Sequence, residues 1–175
     1  KEDENLVIVK AERDGQPATI RTRALVIATG GFSANRELLV KYIGEHARNL
    51  WMRTKKGPTG DGLQAVLRAG ADISGDMTTF YGHTMPSATD NIPMEEYQPI
   101  TPYFAKYAVL VNLEGRRFCD ESKGRLEELN PQEGMRQPGG VYFLVFDSHI
   151  YREYSINQKV AKSIPQVDRV KRAAE

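Results

Sequence analysis

Apolar residues fall in short bursts along this chain, and the spacing inside each burst predicts its element. Residues 6–10 (LVIVK) and 18–22 (ATIRT) are β-rich runs on either side of Asp14-Gly15, which predicts a hairpin. Residues 24–28 (ALVIA) are wholly apolar and short, the pattern of a strand buried on both faces. Thr29-Gly30-Gly31 stops that run. Ser33 is then placed to cap a helix whose Leu38, Leu39, Tyr42 and Ile43 share a face, with Gly44 at its end. From Thr59 a second helix is predicted, with Leu63, Val66 and Leu67 at helical spacing.

The texture changes after Met77. Residues 77–104 hold Pro86, Pro93, Pro99 and Pro102 with little periodicity and are predicted to be mainly loop. A long irregular stretch in a compact chain is usually functional or mobile. Residues 109–112 (VLVN), Glu114-Gly115 and residues 117–119 predict a hairpin-like unit. Residues 124–129 predict a short helix, and 141–146 (VYFLVF) predict a strand. A helical tail follows from Val167, with Pro165 near its start.

Composition narrows the class. The 175 residues carry 24 Lys+Arg against 23 Asp+Glu, and hydrophobic residues make up 40%, which is ordinary globular composition. Near-neutral charge gives no field for nucleic-acid binding, and no run reaches the roughly 18 apolar residues a membrane span needs. The single cysteine, Cys119, excludes an intramolecular disulfide framework and is compatible with a reducing, cytoplasmic compartment. The chain opens within a predicted strand and closes within a predicted helix. We therefore expect a piece of a larger protein, α+β in class.

Four places could carry chemistry. Ala28-Thr29-Gly30-Gly31 follows a predicted buried strand, where glycines admit close backbone approach to a ligand; the plainer reading is a tight turn. Thr59-Gly60-Asp61-Gly62 opens a helix whose free N–H groups suit an anion or polar ligand; the plainer reading is capping by Thr59 or Asp61. His83 lies in a glycine- and proline-flanked turn and is a candidate substrate-facing donor, or a solvated loop histidine. Arg125 follows Asp120-Glu121-Ser122-Lys123-Gly124 and could be one half of a surface ion pair. No spacing supports a metal site or a hydrolase.

Taken in order, the motifs do more. Ala28-Thr29-Gly30-Gly31-Phe32, Thr59-Gly60-Asp61-Gly62, Met77 with His83 six residues on, Val111-Asn112-Leu113-Glu114-Gly115-Arg116-Arg117-Phe118, and Glu121 with Arg125 four residues on follow one another. This series resembles the flavoprotein family of fumarate reductases and succinate dehydrogenases, with ketosteroid and tricarballylate dehydrogenases among its relatives. The resemblance covers residues 24–147. It implies FAD as cofactor, with Ala28, Thr29, Gly30 and Asp61 contacting it. It also implies His83 holding a substrate carboxylate and Arg125 moving a proton opposite the flavin. The substrate implied is a small-molecule carboxylate or ketone. Residues 1–76 would be late segments of the FAD-binding domain and 77–175 a capping domain.

Three departures stand beside the resemblance. No G-x-G-x-x-G occurs, so the turn that grips the FAD pyrophosphate is expected upstream. The family's later substrate histidine and arginine are expected beyond Glu175. Family spacing also puts Thr101 and Phe104 where fumarate reductases carry a Glu and Arg proton relay, and Thr84 follows His83 where the family has proline. Another substrate than fumarate is expected. The expectation is therefore part of a FAD-dependent oxidoreductase acting on a C–C bond beside a carboxylate or carbonyl. By itself this chain is expected to be inactive and a weak holder of FAD. The alternatives are a stand-alone interaction or regulatory module without redox activity, and a relative of the oxidases. Uncovered apolar strands predict self-association into a homo-oligomer.

Overall fold

A computed structural model describes residues 6–53, 56–87, 93–123, 129–156 and 170–171. It is an α+β arrangement. Strands β1 (Val7–Arg13) and β2 (Gln16–Thr22) form an antiparallel hairpin in which Arg13 pairs with Gln16. The two residues between them, Asp14 and Gly15, have φ of 52° and 76°, the twin positive values that a two-residue turn joining right-twisted strands requires.

Helix α1 (Arg36–Ile43) buries Leu38 and Leu39, as predicted. Its cap is not Ser33. Asn35 takes that place, its Oδ1 accepting from Leu38 N at 3.1 Å while its Nδ2 donates to Thr59 O at 3.0 Å. The amide serves two ends at once, which a serine hydroxyl two residues earlier is not placed to do. Gly44 ends the helix.

The expected strand over residues 24–28 is corrected: the segment has no strand assignment, and Val26 is 87% exposed. A doubly buried strand needs neighbours on both edges. Among the described residues the only sheets are the two-stranded pairs β1–β2 and β3–β4. Helix α2 (Asp61–Arg68) starts from Gly60 in the left-handed conformation and half-buries Leu63, Val66 and Leu67.

Within the expected loop, a 3₁₀ turn (Met94–Glu96) runs into the short helix α3 (Tyr97–Ile100). Strand β3 (Val109–Asn112) pairs antiparallel with β4 (Tyr142–Val145), and residues 117–119 contribute one bridge, Val111 to Arg117, in place of the expected hairpin arm. The turn before that bridge is built by Asn112. Its Oδ1 accepts from Glu114 N and Arg116 N, both at 3.0 Å, around Gly115 at φ 75°.

Helix α4 (Leu129–Met135) was not expected, because Pro131 and Gly134 disguise it. Gly134 lies flat beneath Tyr142, where a Cβ would collide with the ring. The predicted helix at 124–129 lies outside the described residues except for Leu129. The predicted tail is described only at Val170 and Lys171, both helical. Helix α5 (Ser148–Ile150) continues as a π-turn over Tyr151–Ile156.

Two cores organise these elements. Leu39, Ala47 and Met135 form one, with Phe32, Ile43, Leu50, Met52 and Phe80 packed around them. It joins α1 to α4 across the middle of the sequence. The other gathers Ile100, Phe104, Ala105, Ala108 and Leu110, with Phe104 and Phe146 edge to face at 5.0 Å.

Candidate functional site

The two glycine motifs fold against each other. A Cβ on Gly62 would collide with Thr29 Oγ1 and stand 3.0 Å from Ile27 Cγ2. One on Gly60, whose φ is +83°, would meet Leu38 Cδ1 at 2.5 Å and Phe32 Cβ at 2.8 Å. Glycine at 60 and 62 is therefore what lets α2 lie on the chain that leaves residue 29. Gly30 (φ +78°) and Gly31 behave differently: nothing lies within 4 Å of a Cβ on either, and both are exposed. Their backbone forms an open ledge. Asp61 stands in the first turn of α2, exposed, with no hydrogen bond or ion pair to another described residue. The expected capping by Thr59 or Asp61 does not occur; the Thr59 hydroxyl turns back to Gly57 O at 3.4 Å.

Beyond the ledge, Phe32 and Ser33 enter the wall of a cavity of about 1020 Å³. The loop carrying Phe80, Tyr81, His83 and Met85 lines the same cavity, together with Tyr97, Tyr103 and Tyr142. His83 lies edge to face against Tyr81 at 5.2 Å and Tyr103 at 5.4 Å, with Nδ1 buried. Hydrogen bonds help to hold this loop to the body. The Thr84 and Tyr142 hydroxyls meet at 2.6 Å, and Gln132 Nε2 donates to Phe80 O at 2.9 Å. Ala28, Thr29, Gly30 and Asp61 are not among the cavity's lining residues, and His83 is. Arg125 lies outside the described residues.

The positions where a Glu and Arg relay was sought are core. Thr101 and Phe104 are buried; the Thr101 hydroxyl donates to Tyr97 O and lies 3.3 Å from Met85 Sδ. Neither could titrate. Nearby, Glu121 is buried and accepts from Arg117 Nη2 at 2.6 Å and from Leu110 N at 2.7 Å. Burial alone would push its carboxyl up, but the Arg117 guanidinium and the Leu110 N–H together hold it below the ordinary glutamate value. Cys119 is half-buried, and desolvation, with Glu121 and Glu133 nearby, pushes its thiol up to about 11. It is therefore a packing group and no nucleophile at neutral pH.

The sequence profile of the FAD binding domain matches residues 2–171. The chain belongs to the FAD-binding domain family. Its relatives include NADH:fumarate oxidoreductase of Klebsiella pneumoniae (strain 342), 31% identical over 75% of this chain and 13% of the relative. They include 3-oxosteroid 1-dehydrogenase of Mycolicibacterium smegmatis, 27% identical over 69% of this chain and 21% of that protein. Fumarate reductase (cytochrome) of Shewanella frigidimarina is 27% identical over 78% of this chain and 22% of its own length. The chain thus spans between 13% and 22% of the length of these relatives.

FAD is the cofactor of this family, and the residues present fit one wall of its site. The Gly30–Gly31 ledge has the open side a planar ring needs, and the Asp61 carboxylate is available to a ligand N–H or O–H. The sequence contains no G-x-G-x-x-G. Two features escaped sequence reasoning: the convergence of Trp51, Tyr97, Tyr103 and Tyr142 on one cavity, and Arg53 beside them. These residues are scattered from 51 to 142 without period. Only folding gathers them. Among the described residues no helix is long and apolar enough to cross a membrane, and no cluster of three His, Cys, Asp or Glu could hold a metal.

Proposed function

We propose that the chain is part of a FAD-dependent oxidoreductase acting on a C–C bond beside a carboxylate or carbonyl. In this reading residues 1–76 are late segments of the FAD-binding domain and 77–175 the capping domain. The observation that carries it is the cavity itself. Its lining includes Phe32 and Ser33, which follow Thr29-Gly30-Gly31 directly in the chain, together with His83. The core of Leu39, Ala47 and Met135, with Phe80 packed against it, joins the two segments.

Ala28, Thr29 and Gly30 would contact FAD through backbone, and Asp61 through its carboxylate. Bound FAD supplies the hydride donor or acceptor. Interconverting a C–C single and double bond moves two electrons and two protons: a hydride at one carbon and a proton at its neighbour. Charge gathers on the adjoining oxygen in passing, and a donor such as His83 beside that oxygen stabilises it. Arg125 would exchange the proton. A guanidinium is a poor acid in water, so this role requires a partner that takes up the proton in turn.

The test is kinetic, on the full-length flavoprotein. Arg125→Lys is expected to lower kcat by about a hundredfold or more while FAD content stays constant, as for loss of a positioned acid or base. His83→Ala is expected to act mainly on KM. Unchanged turnover in Arg125→Lys would return that residue to a surface ion pair and remove the proton-transfer assignment.

A further inference from the structure

The cavity has an unusual balance of side chains. Charged residues are 27% of the chain, yet the described lining contains one formal charge, Arg53, and no carboxylate. It also contains the chain's single Trp and four of its eight tyrosines. Arg53 is exposed toward this space, and its guanidinium lies over the Tyr97 ring at 5.5 Å. It has no carboxylate partner among the described residues. Arg48, Arg117 and Arg136 by contrast pair with Glu45, Glu121 and Glu133, while Arg36 donates to the backbone carbonyls of Ala47 and Leu50.

A guanidinium stacked on a tyrosine keeps its N–H edge directed outward in the ring plane, where it can grip a carboxylate through two bonds. Aromatic walls at this density favour a flat ring, met edge-on as His83 is met by Tyr81 and Tyr103. A four-carbon dicarboxylate would want a cation at each end and would leave most of the aromatic wall uncovered. A neutral ketone would fill the wall and leave Arg53 without its anion. Only a ligand with a planar apolar body and one anionic end uses both features.

We propose that this cavity takes an aryl carboxylate, its ring among Trp51, Tyr97, Tyr103 and Tyr142 and its carboxylate on Arg53. The inference rests on the function proposed above and assigns its substrate class; Arg53 is a binding and specificity-determining residue, not a catalytic one. The redox balance is unchanged: a double bond conjugated to the ring and the carboxylate takes up or gives back one hydride and one proton.

The experiment uses the full-length holoenzyme and three probes: 3-phenylpropenoate, its primary amide, and fumarate. Each is titrated by calorimetry against wild type, Arg53→Gln and Arg53→Lys, with FAD content measured for each variant. The aryl acid is expected to bind wild type about tenfold or more tighter than either the amide or fumarate. Arg53→Gln is expected to cost about ten- to a hundredfold for the acid and to leave the amide within about twofold, the loss of one charge-assisted pair. Arg53→Lys is expected to recover part of it. Tighter binding of fumarate, or equal losses for acid and amide, overturns the inference. So does loss of FAD in Arg53→Gln, which would make the cavity the flavin's own seat. A parallel assay separates the two levels. If anaerobically reduced flavin is reoxidised by fumarate and not by the aryl acid, the substrate class falls and the proposed reaction stands; if no α,β-unsaturated acid or ketone reoxidises it, the reaction falls as well.

Discussion

Glu121 is 3% exposed, and its carboxylate ties the turn Glu121–Lys123 to the Arg117 side chain and, through Leu110 N, to β3. Because its folded value lies below the ordinary 4.5, the stabilisation it supplies is complete above that pH and is lost as pH falls through the lowered value. Arg117 is 58% exposed on its side chain, so solvent screens the ion pair, and the Leu110 N–H is the costlier partner to strand. Glu121→Gln keeps an acceptor for that N–H but presents an amide NH2 to the guanidinium. Glu121→Ala strands the N–H and is expected to cost about 1–3 kcal/mol. By calorimetry, the Tm gap between wild type and Glu121→Gln is expected to be widest at about pH 6 and to shrink as pH falls below the ordinary glutamate value and through the lowered native one, where the carboxyl takes up its proton. A gap constant with pH would mean that packing, not charge, holds this corner. At this same scale the sequence was only partly readable. Glu121 could be read as a member of the motif series, but not that its carboxylate would be buried and paired with Arg117, four residues before it.

Between elements, the decisive contact is α2 on the segment that carries Thr29. Gly62 has an ordinary helical place, so its necessity comes from the neighbour rather than from φ. Gly62→Ala is expected to destabilise by about 1–3 kcal/mol, the overpacking range, and Thr29→Gly in the same chain to recover part of that by clearing the hydroxyl. Urea titration of the two single variants and the double variant measures the coupling. Strict additivity would show that the two motifs do not touch. What could be read at this level followed locality. The hairpin turn needs only Asp14-Gly15, two residues able to take positive φ, and helix α1 needs only its apolar face and Gly44. Residues 24–28 could not be read the same way, since an apolar run becomes a strand only when other strands flank it. Helix α4 was hidden for the converse reason. Pro131 and Gly134 are poor helix formers, and the helix stands because Gly134 packs under Tyr142 and Met135 enters the core. Tertiary contact outweighs propensity there.

At the scale of the whole molecule the question is what covers its apolar surface. The β3–β4 pair alternates with period two. Leu110 and Asn112 face inward, while Val109, Phe143 and Val145 face out and are exposed. Leu25, Val26 and Ile27 form a second such surface, and the two together exceed the scattered apolar positions of an ordinary monomer. An outward strand face with free edges is a template for pairing. The 175-residue chain in isolation is therefore expected to self-associate, with a sedimentation coefficient that rises with concentration. Burying one Phe or Val side chain is worth about 1.5–3 kcal/mol, so a charge in its place should weaken association by about tenfold or more. Phe143→Lys and Val26→Lys test the two surfaces separately. A shift toward monomer in only one of them assigns the contact to that surface. Monomer at every concentration in the unsubstituted chain would mean that neither surface drives association, and that the exposed strand face is tolerated as it stands.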